Sequence, residues 1–304
     1  MTAVPGVTDV SGVTVAGVAL EHPVMNAAGT CRSPESVTRM ARSAVSAVVV
    51  GSVTILPRAG NPGEVFRSGS AWAVNALGLP NRGAGFYGTA LPEMADQVGA
   101  AGKPLVLSVA GFSPAEYAAL AVLGAVSGAR LIELNLGCPN VVDGDRRHRI
   151  AAFDPEIVAV ICAEVRGALD GRVPFGVKLS PYSDPGLLVE VAQVIAGNGV
   201  GYVASCNTFP NALMLGPDSR PVLTVGLAGM SGRALKPVGL GQVAQFRAAL
   251  PDRVDVVGVG GITDSQDVLD YLSAGACAVQ AATVFWDAGE NPGVYGALLE
   301  GLDG

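Results

Sequence analysis

Short, almost uninterrupted apolar runs alternate along the chain with segments whose apolar residues recur every three or four positions. The runs are Pro23–Asn26, Ala47–Thr54, Pro104–Gly111, Leu131–Cys138, Phe175–Ser180, Tyr202–Thr208, Asp255–Ile262 and Ala278–Thr283. They are rich in β-branched residues and lack strict alternation, the pattern expected of strands buried on both faces. After the fourth run, Asp154-Pro155-Glu156 leads into Ile157, Ile161, Val165 and Leu169. Asp154 suits an N-cap, Pro155 the first helical position, and Gly171 the stop. The fourfold spacing lays one apolar stripe on the sheet. Thr263 or Asp264 opens a similar helix that buries Val268, Leu269 and Leu272 and ends near Gly275. Further helices are expected at 33–43, 84–100, 113–127, 184–197, 236–250 and 291–302.

Eight strand–helix units in a chain of 304 residues predict one α/β domain, residues 1–304, folded as a closed (β/α)8 TIM barrel. An open doubly wound sheet is the competing arrangement, but it places its glycine-rich turn after the first strand. Here the pair Gly260-Gly261 follows the seventh, where barrels keep a phosphate site. Val13–Leu20 reads as a small N-terminal β-hairpin closing the barrel bottom. Three long loops, at 55–83, 139–153 and 209–235, follow strands and so belong to the C-terminal face, where barrels keep their chemistry.

Composition narrows the classes. Half the residues are hydrophobic and mean hydropathy is +0.44, which supports a sizeable core and argues against disorder. No apolar run reaches the ~18 residues that span a bilayer. The start MTAVPGVTDV lacks a basic region and a sustained apolar stretch, so no signal peptide is expected. A net charge of −7 and a pI near 4.9 disfavour nucleic acid and anionic membrane surfaces as partners. Five cysteines, at 31, 138, 162, 206 and 277, form no CxxC pair. That argues against zinc, an iron–sulfur cluster or a disulfide framework, and fits a reducing cytoplasm. His22 and His148 are the only histidines.

The polar residues at the strand ends are mostly amides. The fourth strand offers Asn135 and Cys138-Pro139-Asn140, the fifth Lys178, the sixth Asn207-Thr208, and the second loop Asn75–Asn81. Amides both donate and accept, which matches the edge of a neutral heterocycle carrying alternating C=O and N–H groups. A single lysine can neutralise an anion or an electron-rich ring. Gly260-Gly261 lets backbone N–H groups approach phosphate oxygens. Taken one at a time, each has a plainer reading: a turn, a turn asparagine, an inert thiol. Lys178 within VKLSP is the hardest to set aside, because an unpaired buried lysine is costly.

These segments also carry a resemblance. Glu133–Asn140 (ELNLGCPN) resembles the ELNxSCPN signature of the dihydroorotate dehydrogenase family. Pro23–Gly29 (PVMNAAG), Asn75–Asn81 (NALGLPN), Leu107–Gly111, Gly176–Leu179, Asn207-Thr208, Ser231–Pro237 and Val257–Ile262 are similar to family segments in the same order. The resemblance implies FMN at the C-terminal face of the barrel and no metal. It implies Cys138 as catalytic base, as in the soluble class 1 enzymes. Asn75, Leu77, Gly78, Leu79, Asn140, Asn207 and Thr208 match substrate-contacting positions. Ala28, Ser52, Asn135, Lys178, Cys206, Gly232, Gly260, Gly261, Ala282 and Thr283 match FMN-contacting ones. A homodimer is implied, with electrons returned either to a soluble acceptor or to an electron-transfer subunit.

The departures bear on substrate. The family lysine after the second strand is Gly51, the serine before the cysteine is Gly137, a Met is Leu77, and a GT pair is Ala282-Thr283. Oxidation of dihydroorotate is the expected activity. The alternative is an FMN enzyme acting on a different cyclic amide, suggested by Gly51, for which a lysine at 51 should improve dihydroorotate turnover. A second possibility supplies the missing cation from the loop arginines Arg146, Arg147 or Arg149.

Overall fold

The computed structural model describes residues 12–140, 142–143 and 146–302, without the side chains of 142, 143, 146 and 147. Eight parallel strands form the barrel wall. In chain order they are β1 (Val24–Asn26), β2 (Val48–Val53), β3 (Leu105–Val109), β4 (Leu131–Asn135), β5 (Phe175–Leu179), β6 (Tyr202–Ser205), β7 (Asp255–Val259) and β8 (Ala278–Ala281). Neighbours in sequence are neighbours in space, and β8 returns to pair with β1. Each expected strand is present, and all but the first end before their apolar runs do, because the last residues of those runs turn into the loops above.

The seam between β1 and β2 is closed largely by one side chain. Asn26 Nδ2 donates to the Val49 carbonyl at 2.8 Å, and its Oδ1 accepts from the Val49 N–H at 2.9 Å. The amide thus presents to β2 the donor and acceptor that a strand backbone would. Asn26 is fully buried, so nothing else could satisfy those groups cheaply.

The connecting helices are α1 (Pro34–Ala41), α2 (Gly83–Ala100), α3 (Pro114–Val126), α4 (Pro155–Leu169), α5 (Pro185–Gly197), α6 (Lys236–Ala249), α7 (Ser265–Ser273) and a short α8 (Thr283–Asp287). Ser33, Ser113, Asp154 and Asp184 each cap a helix whose next residue is proline. Proline there fixes φ and gives up an N–H that has no helical partner. Asp264 caps α7 in a capping box with Asp267. The expected helix over 291–302 reduces to Val294–Ala297, and α8 precedes it as a separate short helix. Two glycines and a proline, Gly289, Gly293 and Pro292, break the longer pattern.

The hairpin of Thr14–Val15 and Val18–Ala19 closes the N-terminal end of the barrel. Val15 and Leu20 pack with Met25, Val49, Leu131, Tyr202 and Val257 in one buried cluster. The Ala16 N–H donates to Asp255 Oδ2 at 2.7 Å, which ties the hairpin to the start of β7.

Two of the three long loops are not irregular. Segments of 55–83 and 209–235 combine into a four-stranded antiparallel sheet, in the order Phe209–Ala212, Ala228–Ser231, Ala73–Asn75, Phe66–Ser68. It stands over the C-terminal face on its own small core of Val74, Ala76, Leu223 and Ala228. Strands of three or four residues, drawn from two segments far apart in the chain, leave no periodicity to read. Among the described residues no helix is long and apolar enough to cross a membrane.

Candidate active site

A cleft opens at the carboxyl ends of the strands, beneath the antiparallel sheet. It encloses about 1080 Å³, counting the part open to solvent. Of the eighteen site residues expected from the sequence, Gly232 alone does not line it; its neighbour Ser231 does. The structure brings Cys138, the asparagines, Lys178, Gly260-Gly261 and Ala282-Thr283 to one cavity. Phe66, Arg32, Trp286 and Gln280 also line it and were not anticipated. Phe66 and Trp286 lie in elements the sequence did not disclose. Gln280 sits within an expected strand, where its polarity in an apolar context was the available signal, whereas Arg32 lies just ahead of the expected helix at 33–43 and carries no such signal.

The floor is a chain of hydrogen bonds crossing strand ends. Ser108 on β3 and Ser52 on β2 share a bond of 2.9 Å, and Asn135 Nδ2 donates to Ser52 Oγ at 2.9 Å. Asn207 Nδ2 donates in turn to Asn135 Oδ1 at 3.1 Å. Asn140 Nδ2 donates to the Asn75 carbonyl at 2.8 Å. Asn81 does not face the cleft. It bonds Thr54, Leu79 and Gly83 and so shapes the loop.

Two polar atoms in this lining are buried without a partner: Asn140 Oδ1 and Thr208 Oγ1. Buried polar groups are ordinarily satisfied, and each orphan costs about 1–3 kcal/mol. Both therefore offer bonding capacity to a polar ligand.

Cys138 lies three residues past β4, partly buried and facing the cleft. Burial pushes its thiol pKa up, while the Asn140 backbone N–H and the Arg58 charge pull against that rise. Gly137 precedes it because a Cβ there would stand 2.6 Å from Leu179 C and Ser180 N. On this backbone the family serine would not fit. Cys206, also in the lining, is held by burial at about 12, even with Lys178 nearby, and stays a thiol.

Lys178 is not unpaired, as its sequence context had suggested. Its Nζ donates to Gln280 Oε1 at 2.9 Å and stands 3.9 Å from Glu133 Oε1. Gln280 Nε2 donates to Glu133 Oε2 at 2.6 Å, and Glu133 is fully buried. Lysine, glutamine and glutamate span the barrel interior just under the floor.

The expected lid arginines are placed only in part. The side chains of Arg146 and Arg147 lie outside the described residues. Arg149 is exposed and does not line the cleft. His148 packs against Phe112, ring centroids 5.1 Å apart, and Arg58 covers the same ring at 5.3 Å.

The residues present suit a flavin mononucleotide. The turn at Gly260-Gly261 has φ of +119° and +69°, and a Cβ on Gly261 would meet Lys236 Cβ at 2.7 Å and the Gly232 carbonyl at 2.9 Å. Such a turn leaves backbone exposed where a phosphate can approach. No carboxylate lines the cleft among the described residues, so an anionic group meets no fixed negative charge.

A (β/α)8 barrel whose cleft gathers a thiol, amides, a lysine and a glycine turn fits a flavin-type oxidoreductase. Comparison with known proteins agrees. The family profile described as dihydroorotate dehydrogenase matches residues 10–295. The catalytic subunit of an NAD(+)-type dihydroorotate dehydrogenase B from Methanopyrus kandleri is 36% identical over 277 residues, covering 89% of this chain and 84% of that protein. A dihydroorotate dehydrogenase (fumarate) from Trypanosoma cruzi is 33% identical over 290 residues, covering 92% and 88%. A dihydroorotate dehydrogenase A (fumarate) from Lacticaseibacillus paracasei is 33% identical over 266 residues, covering 86% and 88%. The chain belongs to the dihydroorotate dehydrogenase family, FMN-dependent oxidoreductases that act on a CH–CH group.

Proposed function

We propose that this protein oxidises dihydroorotate to orotate, with Cys138 as the base. The observation that carries the reading is the pair of buried, unpartnered atoms Asn140 Oδ1 and Thr208 Oγ1 in the same cleft as the Cys138 thiol. A dihydropyrimidine ring presents N–H and C=O groups alternately along its edge. Asn140 Oδ1 accepts from a ring N–H, and the Thr208 hydroxyl meets a ring carbonyl. Held there, the ring is oriented against the Cys138 thiolate, which takes the proton from the carbon alpha to the ring carbonyl and keeps it on Sγ.

FMN, when bound, supplies the acceptor for the hydride that leaves the adjacent carbon. Lys178 would face the electron-rich end of its ring system, and Gly260, Gly261, Ala282 and Thr283 would hold its phosphate. Ala28, Ser52, Asn135 and Cys206 would line its remaining edge. Asn75, Leu77, Gly78, Leu79 and Asn207 complete the substrate wall. Electrons then pass to a soluble acceptor or to an electron-transfer partner; relatives named for fumarate and for NAD(+) are similarly close.

The test has two stages. Protein denatured after purification should release FMN and not FAD on chromatography. Anaerobic dihydroorotate should then bleach the flavin and yield orotate. An unbleached flavin would refute the assignment. Bleaching by an uncharged dihydropyrimidine instead would favour the second reading, an enzyme for another cyclic amide, for which Gly51 is the supporting observation.

A further inference from the structure

We infer that Arg32 is the cation that receives the carboxylate of the substrate, an inference that rests on the activity proposed above. Dihydroorotate is an acid, so its cleft must accommodate one negative charge beside the neutral ring. Only two cationic side chains line the cleft among the described residues, Arg32 and Lys178. Lys178 is already engaged by Gln280 and the buried Glu133. Arg32 forms no ion pair with any described carboxylate.

The location of Arg32 fits the role. The Gly51 N–H donates to the Cys31 carbonyl at 2.9 Å, and the Gly29 N–H donates to the Gly51 carbonyl at 2.7 Å. The segment carrying Arg32 is therefore tied directly to the one place where a lysine is missing. Its backbone is fixed on both sides: the Arg32 N–H donates to Ser36 Oγ at 2.9 Å, and the Tyr87 hydroxyl donates to the Arg32 carbonyl at 2.6 Å. The guanidinium rests over Trp286, 5.9 Å from the ring centroid, and Trp286 is braced by Phe66 at 5.7 Å. A cation held against an aromatic face keeps its N–H edge free, and that edge suits a planar carboxylate.

The closing experiment titrates the flavin-loaded protein with orotate and, separately, with uracil, which has the same ring without the carboxylate. Binding is read from the flavin absorbance. Arg32→Gln should weaken orotate about tenfold or more, the usual effect of losing a charge-assisted hydrogen bond. Uracil affinity and flavin content should stay unchanged, and Arg32→Lys should recover part of the orotate affinity. Equal losses for orotate and uracil would show that Arg32 only shapes the wall, and loss of FMN would assign the guanidinium to the cofactor phosphate; either result overturns the inference. Unchanged orotate affinity in Arg32→Gln, with dihydroorotate still bleaching the flavin, removes this inference and leaves the activity standing. A wild-type protein that neither binds orotate nor is bleached removes both.

Discussion

Replacing Gly51 by alanine tests whether the second strand tolerates any side chain at that point. Gly51 has φ +118°, and a Cβ there would stand 2.3 Å from the Ser108 carbonyl oxygen and 3.0 Å from the Val53 amide nitrogen. Both neighbours are backbone atoms of barrel strands, so neither yields without moving the wall. Holding a non-glycine residue in such sparsely populated backbone costs about 1–3 kcal/mol, and overpacking a dense interior costs a similar amount again. Gly51→Ala is therefore expected to lose roughly 3 kcal/mol or more. For a domain of this size each kcal/mol moves the melting point by about 2 °C, so Tm should fall by about 6 °C. Thermal unfolding followed by circular dichroism reads this directly. A Gly51→Ala protein melting within about 1 °C of wild type would refute the reasoning. The consequence reaches Gly51→Lys. From the sequence, a lysine at 51 promises better dihydroorotate turnover if the natural substrate differs. On this backbone it meets the Ser108 carbonyl before its ammonium reaches the cleft, and it should destabilise the protein without raising that activity. The register of β2 against β3 shifts between Val50 and Val53, which places Gly51 in an irregularity rather than a regular strand.

Because burial raises the Cys138 pKa and the base must be a thiolate, flavin reduction should quicken with pH through and above the ordinary thiol value of ~8.5 and fade as pH drops. Stopped-flow reduction that is flat from about pH 6 to 9 would contradict this. Cys138→Ala should slow the same half-reaction by ~10²–10⁴ with FMN retained, and Cys138→Ser should need still higher pH. Asn26→Ala leaves the buried Val49 N–H and carbonyl unpaired, so denaturant unfolding should show a loss of about 2 kcal/mol or more. Thr208→Val, nearly isosteric, removes the orphaned hydroxyl; KM for dihydroorotate should rise several-fold while Tm holds or rises, and an unchanged KM would take Thr208 out of the substrate wall.

The barrel was legible because its signals are local. Each strand is a buried run, and each of several helices begins at a cap followed by proline. The seam was not: Asn26 reads as a polar end to the first strand, and only three-dimensional adjacency shows its amide standing in for a strand edge. The antiparallel sheet over the cleft escaped for the same reason, since its partners lie far apart in sequence. Within the site, residue types were readable and pairings were not. Lys178 announced itself, but its partners Glu133 and Gln280 come from β4 and β8, and nothing in VKLSP points to either. Arg32 was hidden by position, in a segment that reads as the approach to a helix. In the sequence Gly51 reads as a missing charge. Its backbone conformation, which makes the absence obligatory on this wall, belongs to the structure alone.

Along the barrel axis the inward-facing residues change character in order, and β4 shows the sequence of layers in alternate positions. Leu131 belongs to the apolar cluster beneath the hairpin, Glu133 to the charged layer above it, and Asn135 to the hydrogen-bonded floor of the cleft. The lowest layer contributes stability through burial alone. The middle layer contributes little net stability, because a buried ion pair gives back in desolvation most of what it gains. Glu133 Oε1 lacks a hydrogen bond altogether, so this layer is not even fully satisfied. Well-packed apolar residues at 133, 178 and 280 would therefore hold the barrel at least as well. A lysine there, with no carboxylate lining the cleft itself among the described residues, is what the proposed flavin site would draw on from above. The counter-ion keeps the lysine tolerable in the empty protein. Engaged from below by Gln280 at 2.9 Å and by Glu133 at 3.9 Å, the ammonium would act on a ring laid across the floor through its charge, the role the proposed function gives it.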